Sequence, residues 1–202
     1  MRLLTAPYKL VVVGLFTLGV SGISGVSWAE DSCTLVKEEP IGMVIPVRLT
    51  CLTDLDSERL YAVVSDPMQQ AKAFSSLGDR TRILSDEGDH LRVQQFHENR
   101  LIADREVVVE WRLGGRPELR TVAWSSSEDQ AGVTGENVRP EVHEGHWEIS
   151  PEGEGSKIVY YVKYLPGGHI PDRVVRSFVG KGVRKVVAEL FAYLRTDPSP
   201  PK

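Results

Sequence analysis

From Pro171 to the end of the chain, one segment restricts the fold more than any other. Val174, Val175, Phe178, Val179, Val183, Val186, Val187, Leu190, Phe191 and Leu194 recur at helical spacing and make a broad apolar stripe. Arg173, Lys181, Arg184, Lys185 and Arg195 keep mainly to the other side. Pro171 suits a first helical position, where its missing amide would have no partner, and Asp172 complements the positive end of the helix dipole. Just upstream, Gly167-Gly168 allows a sharp reversal of the backbone. A stripe this wide cannot face water, so the rest of the chain has to supply an apolar surface beneath it.

The segments before it supply a sheet. Residues 34–37 and 43–52 read as a first pair of strands, and as a hairpin they would set Cys33 close to opposite Cys51. Asp54 or Asp56 caps a helix starting near Ser57, Asp66-Pro67 ends it, and a second short helix runs toward Phe74 and Leu77. The period then changes to alternation, and residues 82–84, 91–97, 106–113, 120–126, 138–149 and 157–164 read as strands. Turns are expected at residues 86–89, at Gly114-Gly115-Arg116-Pro117 and at residues 151–155. Strands joined in order by tight turns make an antiparallel meander. The large surface available to the apolar helix is therefore the concave face of this sheet.

At the amino terminus, Arg2 and Lys9 precede an apolar run and the small-residue stretch Ser27-Trp28-Ala29, the pattern of a secretory signal. The run is shorter than the ~20 residues of a membrane span. Residues 1–29 are thus expected to be a signal peptide, residues 30–195 a single domain and residues 196–202 a disordered tail carrying Pro198, Pro200 and Pro201. Cleavage after Ala29 takes away two positive charges and no negative ones, moving the formal charge from -4 to -6. No basic surplus remains to attract nucleic acid. Cys33 and Cys51 are an even pair for an oxidising compartment, and their spacing is neither a redox CxxC motif nor a zinc site. The expected location is periplasmic or secreted.

Motifs that carry chemistry are sparse. His143-Glu144-Gly145-His146 invites a metal reading, but side chains three apart on a strand point to opposite faces. No nucleophile elbow, zinc-protease helix, P-loop or dinucleotide glycine pattern occurs. Gly180 and Gly182 lie inside the long helix, where each costs about 1 kcal/mol relative to alanine. Close packing on the sheet is the expected reason, with a flexible lid second.

Several stretches taken in order resemble a known family. Tyr61-Ala62-Val63-Val64-Ser65-Asp66, Ala103-Asp104-Arg105-Glu106-Val107-Val108, Gly145-His146-Trp147-Glu148-Ile149-Ser150-Pro151, Val159-Tyr160 and Leu165-Pro166-Gly167-Gly168-His169-Ile170-Pro171 resemble START-related lipid-transfer domains. The likeness spans nearly the whole mature chain. It implies an α+β helix-grip fold, with a curved antiparallel sheet wrapped around the carboxy-terminal helix and two short helices after the first strands. A tunnel for a hydrophobic ligand would lie between helix and sheet. Where the family commonly has Arg-Asp, this chain has Arg105-Glu106, with Arg105 expected inward beside Val107, Val109 and Trp111, and Glu106 outward with Glu110 and Arg112. An inward guanidinium needs a partner: carbonyls or carboxylates at the cavity mouth, water, or an anionic ligand group.

On this resemblance the ligand-contacting candidates are Val93, His97, Arg105, Val107, Trp111, Trp124, Trp147, Tyr160, Val175 and Phe178. The expected partner is a lipid or other hydrophobic small molecule, with transient membrane contact, no nucleic acid, no cofactor and no metal. A carrier or sensor is the first functional expectation. Relatives of this fold include cyclases, so a cyclase or hydrolase using His97 with Arg105 or Tyr160 is the alternative. A pure interaction module is the third.

Overall fold

The computed structural model describes residues 31–98 and 103–196, without the side chains of residues 172–174, 177 and 178. The expected signal segment and all of the tail beyond Thr196 lie outside the described residues. Chain order runs β1 (Ser32–Lys37), β2 (Val47–Thr53), α1 (Ser57–Val64), α2 (Pro67–Ala73), β3 (Arg82–Asp86), β4 (His90–His97), β5 (Arg105–Arg116), β6 (Leu119–Ser126), β7 (Val142–Glu152), β8 (Gly155–Leu165) and α3 (Asp172–Thr196). The strands form one antiparallel sheet in the order β1-β2-β8-β7-β6-β5-β4-β3. Hairpins link β3 through β8 in sequence, and β2 closes against β8 across the two short helices.

Local chemistry sets the boundaries. Asp56 caps α1 by accepting from the Arg59 amide, and Asp66 caps α2, with Pro67 at its start. The first hairpin pairs Cys33 with Cys51, which form a disulfide closing a sequence separation of 18. β2 begins at Val47 rather than near Met43, because the chain makes a tight Ile41–Val44 turn at Gly42 and continues through Pro46, which has no amide for a ladder. β7 begins at Val142 rather than Val138, just past Pro140; Val138 forms a lone parallel bridge with Arg105. The predicted Gly114-Gly115 turn is strand instead. Gly115 pairs with Arg120 at φ 93°, and a Cβ there would lie 2.0 Å from the Leu119 carbonyl, so the reversal falls at Pro117-Glu118.

α3 lies on the concave face, and its two halves differ. Val183, Val187, Leu190, Phe191 and Leu194 are buried in the main core with Leu49, Leu60, Val64, Ile149 and Ile158. Polar ties hold the same half: Arg195 to Asp31 and Asp54, Tyr193 to Gln69, Glu189 to Ser75, and the Leu194 carbonyl to Arg59. Nearer the helix start, Val175 and Val179 stand over open space.

Candidate functional site

Between the sheet, α2 and the first half of α3 lies a cavity of about 1210 Å³. Ordinary small-molecule pockets hold roughly 300–1,000 Å³. Its floor is aromatic because inward positions of neighbouring strands fall side by side: Trp111 pairs with Trp124, and Trp147 with Tyr160. Tyr160 stacks on Trp147 at 4.0 Å and on Trp124 at 5.9 Å, and Phe74 of the α2 end stacks on Trp147 at 6.3 Å. Gly145 makes room for this layer, since a Cβ there would meet the Trp124 ring at 2.6 Å. Ile45, Val162, Val175, Val179 and Val186 complete the apolar wall.

One end of the cavity is polar. His97 meets His143 edge-on at 4.8 Å, and Tyr164 stacks on His97 at 6.0 Å and meets His143 edge-on at 5.5 Å. His143 Nε2 lies 3.2 Å from Gln95 Oε1. Arg105, only 2% exposed, turns its guanidinium to the carbonyls of Pro166 (3.1 Å), Gly167 (3.2 Å) and Ala103. Among the described residues no carboxylate pairs with it.

No protein-family model matches the chain, and no curated protein matches it in sequence. Solved structures do. A STAR-related lipid transfer protein fragment from Xanthomonas axonopodis superposes with a TM-score of 0.72 at 16% identity, covering 81% of this chain and 93% of that one. Human StAR-related lipid transfer protein 5 gives 0.71 at 14%, covering 82% of each. The Zhui aromatase/cyclase from a Streptomyces species gives 0.55 at 16%, covering 76% of this chain and 93% of its own. The chain has the helix-grip fold. At these identities the likeness is one of fold.

Within the helix-grip cavity, His97, Arg105, Trp111, Trp124, Trp147, Tyr160 and Val175 all line the wall. Val93 and Val107 do not. Both are fully buried in the core cluster, covered by the side chains packed around them. The side chain of Phe178 lies outside the described portion. Sequence reasoning weighed His143 only as a metal ligand and did not name Gln95 or Tyr164; all three also line the cavity. Continuing the alternation back from Trp147 and on from Tyr160 would have reached two of them. Glu106 does point to the opposite face from Arg105, as alternation requires, yet it is fully buried. Residues of the segment between β6 and β7 cover it, and its carboxylate accepts from Thr134, Asn137 and Gln94.

Burial fixes the charge states inside the helix-grip cavity. Desolvation, helped by the nearby Arg105 cation, brings His97 down to about 4. Burial, with His97 alongside, holds His143 well below the usual imidazole range. Burial pushes Tyr164 up to about 12, with Arg105 opposing, and also raises Tyr160. At neutral pH the imidazoles and phenols are uncharged.

Proposed function

We propose that this protein holds a hydrophobic ligand, most simply a lipid, in the cavity between the sheet and α3, and acts as an extracytoplasmic carrier or sensor. The observation that carries the reading is the cavity itself: about 1210 Å³, floored by aromatic rings and roofed by valines. Moving ~15 methylenes out of water is worth about 12 kcal/mol at ~0.8 kcal/mol each. A lipid tail in a membrane is already dry, so tail burial barely drives extraction, and discrimination falls to the polar end. The exposed Ile41 and Met43 support a passing membrane contact, Met43 lining a small cleft with Gly167, Gly168 and Ile170. Support for export comes from the signal-like start and the Cys33–Cys51 bridge. Among the described residues no helix is long and apolar enough to cross a membrane.

Mass spectrometry of organic extracts from gently purified protein tests the proposal. A lipid recovered near one per chain supports it; a protein that stays empty after challenge with mixed bacterial lipids refutes it. A second reading, cyclase-type proton chemistry on a polyketide-like guest, draws on the grouping of His97, His143 and Tyr164. It ranks second because a base works best with its pKa near the working pH, and His97 lies at about 4. Turnover of a poly-ketone analogue, lost in His97→Phe, would favour it.

A further inference from the structure

We infer that the polar end of the cavity selects an uncharged, oxygen-bearing head group, a hydroxyl, ketone or ester, over a phosphate-bearing one. The inference rests on the ligand-holding reading above and adds the chemical class of the guest. It starts from buried polar atoms that have no hydrogen-bond partner among the described residues: His97 Nε2, His143 Nδ1, Trp111 Nε1 and Trp124 Nε1. All four side chains line the cavity. Buried polar groups are nearly always paired, so four such atoms on side chains around one cavity mark a place where a guest or ordered water completes the bonding as the rings turn to meet it.

The chemistry of these atoms narrows the guest. Gln95 Oε1 can only accept, so the His143 Nε2 facing it carries the proton and Nδ1 remains a bare acceptor. The two indole nitrogens can only donate. A wall offering acceptors and donors together fits a hydroxyl, which does both, or a carbonyl oxygen receiving an indole N–H. A phosphate presents only acceptors, which leaves the bare imidazole acceptors unpaired, and a full charge whose removal from water costs far more than that of a neutral polar group. The cation at this end, Arg105, is already bonded to three backbone carbonyls. Glu98 lines the same cavity and adds negative charge, as does Asp104, which is paired with Arg80. Lys181 and Lys185 also reach its edge, but from exposed positions on α3, with Lys185 paired to Glu189.

The test compares probes with one C18:1 tail and different heads on the delipidated protein. Monooleoylglycerol and oleyl alcohol carry neutral heads, 1-octadecene has none, and oleoyl-lysophosphatidylglycerol carries the phosphate. The neutral heads should bind about tenfold or more tighter than either of the others, which is one net hydrogen bond's worth. His143→Phe and Trp124→Phe, each of which keeps a ring and removes the polar nitrogen, should bring the ratio of neutral head to headless probe toward one. The inference is overturned if the lysophospholipid binds as well as the neutral lipids, or if neither variant moves the ratio, although the headless probe binding in both cases would leave the ligand-holding reading intact. If no tailed probe binds, both fall together.

Discussion

Val186→Phe asks directly whether the space under α3 is empty. Val186 is half-buried on the helix face that lines the cavity. In a filled core, inserting extra carbons forces neighbours off their rotamers and costs about 1–3 kcal/mol. For a domain of roughly 150–250 residues each kcal/mol moves the Tm by about 2–4 °C, so a solid interior predicts a fall of roughly 2–12 °C. A cavity of about 1210 Å³ removes that cost, and the ring adds apolar contact instead. Valine and phenylalanine have similar helix propensities, so the backbone contributes little to the difference. The expected result is a Tm equal to or above that of the parent, with ligand capacity reduced because the ring takes guest volume.

Gly182→Ala provides the companion measurement. Gly182 lines the same cavity, and a Cβ built on it meets nothing within 4 Å, so alanine should gain the full helix-propensity difference of about 1 kcal/mol. Both variants are compared by calorimetry after delipidation, because a bound ligand raises Tm by itself. A fall of more than about 4 °C in Val186→Phe together with no rise in Gly182→Ala would refute the open interior and the proposed function with it.

Removing the bridge as Cys33→Ser/Cys51→Ser should cost about 3 kcal/mol for a loop of this size, read as a lower urea midpoint; equal midpoints with and without reductant would show that it adds nothing. His97 titrates at about 4 when folded against 6.5 unfolded, so its contribution is intact above pH 6.5 and falls as the unfolded chain takes up protons that the folded one refuses, levelling off below about pH 4. Up to about 3 kcal/mol is lost across that window, and urea midpoints at pH 7 and pH 5 should draw closer together in His97→Phe. Glu106 shifts in the same direction for a different reason: burial would raise its carboxyl, but bonds from Thr134, Asn137 and Gln94 outweigh this and hold it below its usual value. Its stabilisation is present above the unfolded value of 4.5 and lost as pH falls through the folded one. Glu106→Ala should cost about 3 kcal/mol and speed amide exchange in residues 130–137; unchanged exchange there would show that the carboxylate does not hold the segment.

The sheet and α3 were legible because burial on one face imposes a period that the residues display openly: alternation from Leu91 onward, then helical spacing from Val174. Turn positions were less legible. Gly114-Gly115 reads as a turn by residue type, but those glycines serve a close strand crossing beside the Leu119 carbonyl. Gly180 was expected to allow close packing, yet a Cβ there would sit 3.5 Å from Lys37, ordinary contact that does not require glycine. Glu106 shows a different limit. Alternation fixes which face a side chain takes, and it took the expected one. Whether a segment about thirty residues later folds over that face depends on hydrogen bonds that no local pattern announces. The polar end of the cavity is hidden for the same reason: register sets His143 of β7 opposite Tyr164 of β8, but His97 meets them from β4, across two intervening strands, through the curvature of the sheet.

The Gly167-Gly168 reversal and the buried Arg105 explain each other. Both glycines have positive φ, 68° and 74°, and a Cβ on Gly167 would come within 2.3 Å of the Arg139 carbonyl. That tight conformation aims the Pro166 and Gly167 carbonyls at the guanidinium, which needs partners because it is buried without a carboxylate among the described residues. Without the arginine those two carbonyls would lose their bonding, and without the glycines the arginine would lose its partners. The inward cation that the sequence suggested for a ligand is therefore committed to the turn leading into α3. Under the ligand-holding proposal, recognition of a guest rests on cavity-lining groups without a partner among the described residues, and these include nitrogens on imidazole and indole rings.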